Sequence, residues 1–425
     1  MATRSWRSSL LLLLAGLAAC PAENEPEPLP SLPEGVTCTQ TTLVAADSAA
    51  LTDALAQAQA GTCVVLRSGS VQGSFTVPKS VTLIGEAQNS TVITGVWEAM
   101  PEADVMVSTV LRLLPGAGLY RVQVRAPAPT TLAEGTSRFE SRGLALKLSG
   151  ASLVQVSEVE VSNANFGVLG ICEEGCERPG FFAVINDLFA HDNAVGLWAY
   201  NNAAVQLVGG HIANQSGIGV AAGIGVIASH GARLDMTGTS LTSNGLMGML
   251  VDGEGGTDVA LTQVSITDNQ EAGMQVQKLA GTAAAPKLRL NGCAIERNRR
   301  LGLGLVASSG VQLKRSRIAS TVLAPTTGNL SVYNMGDGLG VFEQSSEIVA
   351  EELALEDNGR TQALVDGGGA NIDLRGASTQ SHAGQRGIVV QRTAGSVQAP
   401  PASVETPAAG SELPFKASPE MLPAH

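Results

Sequence analysis

Apolar residues occupy alternate positions in short stretches along most of the chain, and each stretch follows a polar turn that contains Asn and then Gly. Alternation with a period of two predicts β-strands. The Asn-to-Gly turns span residues 163–167, 193–196, 244–248, 269–273, 298–302 and 334–338. The glycines at 143, 167, 196, 223, 248, 273, 302 and 338 are mostly about 24–29 residues apart, with one gap of about 36. Such a repeat predicts a solenoid, in which each coil buries its apolar side only against neighbouring coils.

The alternation after each Gly separates an inward from an outward set of side chains. The inward set is uniformly aliphatic and comprises Leu144, Leu146, Leu197, Ala199, Ile224, Val226, Met249, Val251, Met274, Val276, Leu303, Leu305, Leu339 and Val341. We expect the repeated Asn side chains to turn inward at the corners, where stacked amides hydrogen-bond from coil to coil and satisfy buried backbone groups. The Asn residues are therefore predicted to be part of the scaffold.

The outward positions contain an apolar row on successive coils, which admits two interpretations. The row consists of Leu169, Ile171, Trp198, Tyr200, Ile227 and Leu250. If it is exposed, Trp198 and Tyr200 form a flat aromatic surface suited to stacking against sugars, because contiguous apolar patches usually bind something. Alternatively the protein covers the row itself, and the insert 172–182, with Phe181 and Phe182, folds over it.

The N-terminal part of the repeat region predicts one helix followed by short strands. Asp47 and Ser48 are suited to cap a helix that runs to about Ala60, with Leu51 and Leu55 on its apolar side. Strands are predicted at 64–66, 75–77, 81–85 and 92–95, where β-branched residues are frequent. A helix in this place covers the open apolar end of a stack of coils.

These segments, together with the Asn-to-Gly repeats, resemble right-handed parallel β-helix proteins of the pectate-lyase-like superfamily over roughly residues 42–395. The resemblance implies an all-β fold, a single-stranded right-handed parallel β-helix with an N-terminal capping α-helix. It also implies a possible activity, because enzymes of that superfamily act on acidic polysaccharides. Their lyases pair a Ca²⁺-binding acidic cluster with Arg or Lys, and their hydrolases use paired carboxylates. The Asp-Asp and Gly-His-Gly motifs of the hydrolases are absent from this sequence.

The N-terminus predicts a location outside the cytoplasm. Residues 1–19 have a basic start and a short apolar run, and the ending before Cys20 resembles the lipobox of bacterial lipoproteins. In that family the Cys becomes the lipidated N-terminus; the alternative is an ordinary secretory signal with an incidental Cys. Residues 20–41 are rich in Pro and Glu and predict an extended tether. Pro21, in place of the Asp that retains enteric lipoproteins at the inner membrane, favours the outer membrane or cell surface. Residues 396–425 show no period and predict a disordered tail.

Charge and cysteine content restrict the possible partners. The formal charge of −12 repels nucleic-acid phosphates, so the lipid anchor is the expected membrane contact and no nucleic acid is expected. Four cysteines, Cys38, Cys63, Cys172 and Cys176, are candidates for disulfides rather than for a metal site, since Cys-x₃-Cys without a nearby His is a poor zinc ligand set. Cys293 shares an inward position with other apolar residues and is predicted to be a buried small hydrophobe.

Three groups of polar residues are candidates for chemistry, each with a structural alternative. Asp252, Glu254 and Asp258 on a Gly-rich loop could hold Ca²⁺, although a solvated turn is favoured; no other cofactor is expected. The basic residues on neighbouring coils could bind an anionic polymer, although ion pairs between coils with Glu296, Glu351 and Glu352 are favoured. These basic residues are Arg297, Arg299, Arg300, Lys314, Arg315 and Arg317. His191 and Asp192 are interpreted as a surface turn rather than as a catalytic pair.

The sequence therefore supports three hypotheses for the function. The favoured one is a lipid-anchored, extracytoplasmic, non-catalytic surface protein that binds a polysaccharide on its long side. The second is a polysaccharide lyase or glycoside hydrolase, which requires acidic and basic side chains that converge in a groove. The third is a structural spacer or adhesin without a ligand. Trp198, Tyr200, Arg297, Arg299, Arg300, Lys314 and Arg315 are the candidate ligand-binding residues.

Overall fold

The computed structural model of the chain describes residues 31–87, 90–100, 105–128, 138–176, 180–216, 223–325, 334–393, 395–400 and 404–414. The predicted signal segment, Cys20 and most of the tether lie outside these ranges and remain predictions. From Leu32 onwards the chain forms one compact unit. No helix within the described ranges has the length and apolar character needed to cross a membrane.

Short strands make up most of the described chain. In chain order they are β1 Gln40–Val44, β2 Thr62–Leu66, β3 Gly69–Gln72, β4 Phe75–Val77, β5 Thr82–Gly85, β6 Thr91–Thr94, β7 Glu98–Met100, β8 Val105–Leu113, β9 Gly118–Tyr120, β10 Gln123–Arg125, β11 Arg138–Ser149, β12 Val154–Ser162, β13 Phe166–Glu174, β14 Ala183–His191, β15 Val195–Tyr200, β16 Ala204–Val208, β17 His211–Ala213, β18 Ile224–Ala228, β19 Arg233–Thr237, β20 Ser240–Thr242, β21 Met247–Asp252, β22 Asp258–Thr262, β23 Ser265–Thr267, β24 Ala272–Gln277, β25 Leu288–Asn291, β26 Ala294–Glu296, β27 Arg300–Val306, β28 Ser309–Lys314, β29 Arg317–Ala319, β30 Ala324–Pro325, β31 Asn334–Phe342, β32 Ser346–Glu351, β33 Leu353–Glu356, β34 Thr361–Asp366, β35 Ile372–Asp373, β36 Ala377–Gln380, β37 Arg386–Gln391, β38 Val397–Gln398 and β39 Val404–Glu405. A 3₁₀ turn spans Glu254–Gly256.

The strands form two long parallel sheets that wind around a common interior. We call the sheet that contains β19 and β20 sheet I, and the sheet in which β18 and β21 are successive strands sheet II. In the middle of the chain each coil contributes two strands to sheet I and one strand to sheet II. Strands of successive coils pair in parallel, as β21 does with β24, whereas β7 and β30 pair antiparallel with their neighbours. The corner between the two sheet I strands of a coil is made by a residue in the left-handed region, such as Gly238 or Gln263. This stack of parallel coils is the predicted parallel β-helix.

Sheet II has strictly aligned rows of side chains, and the rows define its two faces. Leu197, Val226, Met249, Met274 and Leu303 lie side by side on successive strands and are fully buried in the main core. The predicted inward row is therefore confirmed for these strands. The prediction was wrong at one coil. Ile224 faces outward there, and the first inward position of that strand is Val226. The glycine in the repeat position is Gly225 rather than Gly223. Gly223 has a φ of +88° and belongs to the preceding turn.

The N-terminal end of the coil stack is closed by the predicted helix. Helix α1 spans Ser48–Gln57, and the Asp47 side chain accepts a hydrogen bond from the Ala50 N–H at its start. Leu51 and Leu55 are buried in the same core as the coils. Since apolar burial contributes roughly 1.5–3 kcal/mol for a Leu side chain, α1 stabilises the first coil while it covers it. The capping role predicted for the helix is confirmed.

The buried Asn ladder is present and extends over other residue types. Asn244 donates from its backbone N–H and its Nδ2 to Asn269 Oδ1, and Asn269 donates in the same way to Asn298 Oδ1. Asn163 and Asn334, which the repeat assigns to this ladder, are exposed, so the prediction was wrong for them. Asn358 lies in the ladder two coils after Asn298, and the intervening position is taken by Thr321, whose N–H donates to Asn358 Oδ1. An amide serves at the other positions because the requirement is a buried acceptor for a backbone N–H, whereas the buried Thr321 hydroxyl makes no hydrogen bond.

Pairing in parallel continues further towards the C-terminus than the sequence period indicates. Strand β38 pairs with β35, and β39 pairs with β37. The boundary at residue 395 is therefore too early for the described part of the tail. Each of these strands has two residues, and two residues in a Pro- and Ala-rich segment are too few to show an alternation.

Candidate functional site

The apolar outward row of sheet II is buried. Trp198 aligns with Leu169, Ile227 and Leu250 on neighbouring strands, and its exposed fraction is 3%. These side chains form a second apolar cluster, separate from the main core. Of the two interpretations of this row, the one in which the protein covers it is confirmed, and the one in which Trp198 is exposed is wrong.

Trp198 and Tyr200 are held within an aromatic group rather than presented as a free surface. Trp198 Nε1 donates to Ser229 Oγ at 2.9 Å. Its ring centroid lies 5.2 Å from that of Phe166 and 5.3 Å from that of half-buried Tyr200, which in turn lies 4.8 Å from His230. Edge and tilted contacts at these distances stabilise aromatic pairs. In this conformation a sugar has no access to the Trp198 ring.

The insert after β13 packs elsewhere than predicted. Phe182 is buried in the main core, and Phe181 packs against that core with the Arg233 guanidinium 4.6 Å from its ring centroid. Neither ring belongs to the second cluster. The two Phe rings of the insert are therefore not the cover of the outward row.

The four candidate cysteines form two disulfides. Cys38 bonds to Cys63, and Cys172 bonds to Cys176. The first bond ties the chain before α1 to β2, and the second closes the tight loop after β13. Cys293 is a buried free thiol whose pKa is raised by burial, so it is a poor nucleophile, in agreement with its predicted role.

The three carboxylates proposed for Ca²⁺ have separate partners. Buried Asp252 accepts from Gln277 Nε2 at 2.9 Å and from the Glu254 N–H. The Glu254 carboxylate pairs with Lys278 at 3.0 Å, and Asp258 pairs with Lys287 and Arg289. The structure thus does not bring the three groups together around one position, and the described residues contain no cluster of His, Cys, Asp or Glu suited to a metal ion.

The basic residues of neighbouring coils are engaged in pairs, as the structural alternative predicted. Arg297 contacts Asp268 at 2.9 Å and Glu296 at 3.3 Å, Lys314 contacts Glu351 at 2.7 Å, and Arg300 contacts Glu271. Arg317 bridges Glu296 and Glu356. Hydrogen bonds to Asp268 and Glu356 raise the pKa of Arg297 and Arg317, respectively. Arg299 and Arg315 bond to the side-chain oxygens of Gln270 and Asn291.

An exposed aromatic shelf, which the sequence analysis missed, lies on the outer face of sheet I. Among the Phe, Tyr and Trp side chains whose burial the structure describes, Phe189 is the one that is exposed, at 37%. The His191 ring stacks beside it with centroids 4.5 Å apart, and the His211 ring on the next coil lies 5.9 Å away. The three rings are inclined by only 28° and 34°, so they form a shallow surface across two coils. We call Phe189, His191 and His211 the aromatic shelf.

Polar groups surround the shelf at distances that fix its rings. His191 Nδ1 lies 2.7 Å from Asp192 Oδ2, and its Nε2 lies 3.3 Å from Glu160 Oε1. Glu160 also accepts from Gln123 Nε2. Asp192 is exposed at the turn that ends β14, so the predicted surface turn is confirmed.

The surface next to the shelf is lined by small hydroxyl side chains. In the row that contains Glu160 and Phe189, His211 aligns with Ser240 and then with Ser265 on successive strands of sheet I. Strands in a sheet are about 4.8 Å apart, so this row extends roughly 10 Å beyond the His211 strand. Two strands after Ser265 the same row reaches Arg317, whose side chain is paired with carboxylates.

A family model described as "Right handed beta helix region" matches residues 142–318 of the chain. The parallel coils described above extend on both sides of this region. The chain is a right-handed parallel β-helix. The shelf, the Asn ladder and the second apolar cluster of this β-helix all include residues of the matched region.

Several solved structures share the fold of this β-helix. The Dettilon tailspike protein superposes with a TM-score of 0.54 at 10% identity over 79% of this chain and 64% of that one, so the chain spans less than two thirds of the tailspike. A GH87 α-1,3-glucanase from Streptomyces thermodiastaticus superposes at 0.53, with 13% identity over 88% and 70% of the two chains. A family 28 exopolygalacturonase from Yersinia enterocolitica superposes at 0.52, with 10% identity over 86% and 78%. No curated protein sequence matches the chain.

Proposed function

We propose that this protein is a lipid-anchored, extracytoplasmic β-helix that binds a neutral polysaccharide on the aromatic shelf without cleaving it. The observation that carries the proposal is the exposed ring of Phe189, flanked by His191 and His211 on a flat sheet. Exposed aromatic rings on flat surfaces suit the apolar faces of sugars, and the adjacent imidazole and hydroxyl groups are suited to hydrogen bonds with sugar hydroxyls. The α-1,3-glucanase that shares this fold also has a neutral glucan in its name, in agreement with such a ligand.

The charges around the shelf favour a neutral over an acidic polymer. Glu160 and Asp192 both lie beside it, and the chain as a whole has a formal charge of −12. An anionic sugar chain is repelled by such a surface. The candidate basic residues Arg297, Lys314 and Arg317 pair with carboxylates and therefore offer a uronate little uncompensated positive charge.

The pairing of charges also supports binding rather than catalysis. A lyase of the kind considered above needs a metal-binding acidic cluster and a basic group that is available to remove a proton. The candidates for both are bonded to other protein groups: the carboxylates of Asp252, Glu254 and Asp258, and the basic side chains of Arg297, Lys314 and Arg317.

Replacing the shelf ring tests the proposed binding. For Phe189→Ala we expect about tenfold weaker retention on an insoluble α-1,3-glucan, which corresponds to about 1.4 kcal/mol, because the stacking surface is removed. The wild-type protein is expected to bind polygalacturonate more weakly than the glucan. The measurement is a depletion assay over a range of polysaccharide concentrations. Val322→Ala, which removes another exposed apolar side chain, is the matched control and is expected to bind like the wild type. Equal retention of both variants on every neutral polymer tested would remove the shelf as the site.

The lipid anchor is tested separately at Cys20. Cys20→Ala is expected to move nearly all of the protein from the detergent phase to the aqueous phase in a phase-separation assay. Stable anchoring needs more than one acyl chain, and a protein without the acceptor Cys carries none. Metabolic labelling with a radioactive fatty acid should label the wild type and leave the variant unlabelled. A variant that still partitions into detergent would contradict the anchor.

A further inference from the structure

A shallow cavity lies on the outer face of sheet I and begins three strands after β14 of the aromatic shelf. Its volume is about 240 Å³, which equals about eight water molecules at about 30 Å³ each. The depression forms at Ala260, which lies between Asp235 and Arg289 in one outward row of the sheet. Because the Ala260 side chain is only a methyl group, it leaves space between two longer neighbours.

The lining of the cavity is polar and comes from three adjacent strands, β22, β25 and β28. Every polar side chain in it carries at least one hydrogen-bond donor, and these side chains are Thr262, Arg289, Asn291, Gln312 and Lys314. They point outward because the residues that alternate with them belong to the main core. The parallel register therefore presents five donor side chains around one depression.

The basic side chains at the cavity outnumber the carboxylates that pair with them. Arg289 and Lys287 share a single carboxylate, that of Asp258, at 2.5 Å and 3.4 Å. Lys314 pairs with Glu351 at 2.7 Å. Arg289 Nη1 also donates to a backbone carbonyl at 2.5 Å. Since a guanidinium has five N–H donors, these contacts leave further donors for a ligand.

A fourth cation, Arg315, lies behind one of the lining residues. Its Nε and Nη2 donate to Asn291 Oδ1 at 3.1 Å and 2.8 Å instead of to a carboxylate. These bonds fix the amide and leave Asn291 Nδ2 as its donor to a ligand. Four basic side chains and two carboxylates give a local net charge of +2 (4 − 2), whereas the whole chain has a formal charge of −12. Asp235 lies one strand beyond Ala260 and bounds this positive area.

The arrangement of these donors suits a tetrahedral oxyanion. A carboxylate offers two oxygens in one plane. A phosphate group offers oxygens in several directions and can accept hydrogen bonds from side chains on all three strands at once. Charge-assisted bonds from Arg and Lys to phosphate are shorter and stronger than bonds between neutral groups.

From these observations we infer that the cavity is a binding site for a phosphate group, in which Arg289 and Lys314 supply the charge and Asn291 supplies an oriented amide. The excess charge is confined to the cavity, so the site takes a single phosphate group rather than an acidic polymer along the sheet. The group can come from inorganic phosphate or from a phosphate monoester. This inference does not depend on the proposed binding at Phe189, which lies on other strands.

Titration with sodium phosphate tests the site. Isothermal titration calorimetry of the full-length protein, at pH 7 and constant ionic strength, is expected to show saturable binding. Arg289→Ala should weaken this binding about tenfold or more, because charged hydrogen bonds to the ligand are lost. Arg375→Ala is the matched control: it removes the same charge from an exposed side chain after β35 and should bind like the wild type. The inference is overturned if the wild type shows no saturable binding, or if both variants lose affinity equally.

A second variant keeps the test independent of Arg289. Gln312→Glu places a carboxylate in the lining and should weaken phosphate binding about tenfold or more, because like charges are then opposed. Circular dichroism equal to that of the wild type shows that the coils remain folded. If the folded variant binds phosphate as the wild type does, the inference fails.

Two further ligands define the chemical class and its source. Sodium acetate should bind about fivefold more weakly than phosphate, since it reaches fewer of the donors. Equal affinities for acetate and phosphate would overturn the assignment to a phosphate group. Glycerol 3-phosphate separates the two sources: an affinity equal to that of phosphate supports a monoester, and much weaker binding supports the inorganic ion.

Discussion

Gly273→Ala is expected to destabilise the protein by about 3 kcal/mol. A Cβ at Gly273 would lie 2.6 Å from the Gly302 carbonyl oxygen, 2.6 Å from Asn298 Nδ2 and 2.6 Å from Ile295 Cγ2. One of these atoms is backbone of the next strand and another belongs to the buried ladder, so the methyl group is accommodated only if the coils separate. Urea denaturation followed by circular dichroism measures the loss as a lower midpoint.

Gly170→Ala is the matched control for this variant. Gly170 lies in the same sheet, but a Cβ there would meet Val205 Cγ2 at 3.4 Å and two other carbon atoms at 3.8 Å, which are ordinary contacts. Replacement of Gly by Ala without strain stabilises a protein by about 0.4–1 kcal/mol through the unfolded state. We therefore expect a midpoint equal to or above that of the wild type. If both glycine variants have the same midpoint, the close approach at Gly273 does not exist.

Asn269→Ala is expected to cost about 2–4 kcal/mol, because it interrupts the ladder at a buried position. Asn269 Oδ1 accepts two hydrogen bonds from Asn244, at 3.0 Å from the backbone nitrogen and 2.9 Å from Nδ2. Its own Nδ2 donates to Asn298 Oδ1 at 2.8 Å. Alanine removes all of these partners and leaves the Asn244 donors buried without an acceptor. Thermal or urea unfolding provides the measurement.

Asn334→Ala separates the ladder from the sequence repeat. Asn334 occupies the same place in the Asn-to-Gly pattern as Asn269 but is exposed. Exposed substitutions away from special contacts usually change stability by less than about 0.5 kcal/mol. A loss for Asn334→Ala as large as that for Asn269→Ala would show that the pattern, and not burial in the ladder, sets the requirement for Asn.

The repeat of Asn and Gly was readable from the sequence because both residues serve one packing contact. At several repeats the Gly lies against the side-chain amide of the following repeat; a Cβ added at Gly248, for example, would lie 3.0 Å from Asn269 Nδ2. A residue that must be small and a residue that must be an amide leave a periodic signal. The sequence repeat assigns Gly223, Asn163 and Asn334 to positions that they do not occupy in the structure. The reason is that insertions in turns change the sequence spacing without changing the strand register.

The candidate sites were harder to predict because each depends on residues from several coils. Phe189, His191 and His211 come together through the alignment of β14 with β17, and neither strand by itself has a distinctive motif. The pairing of Arg297 with Asp268 likewise joins residues 29 positions apart. Nothing in the local sequence distinguishes an Arg that is paired in this way from one that is available to a ligand.

The sequence by itself determined the all-β solenoid, the capping helix, the inward aliphatic rows and the choice of cysteines, because each of these depends on a local period or on a residue type with one dominant preference. Only the tertiary structure decided that Trp198 is enclosed, that Arg297, Arg300, Lys314 and Arg317 pair with carboxylates, and that Phe189 is exposed. The pattern of alternation states which way a side chain points from its own strand. Whether a second layer lies over that side depends on chain segments far away in the sequence, such as the one that contains Leu413.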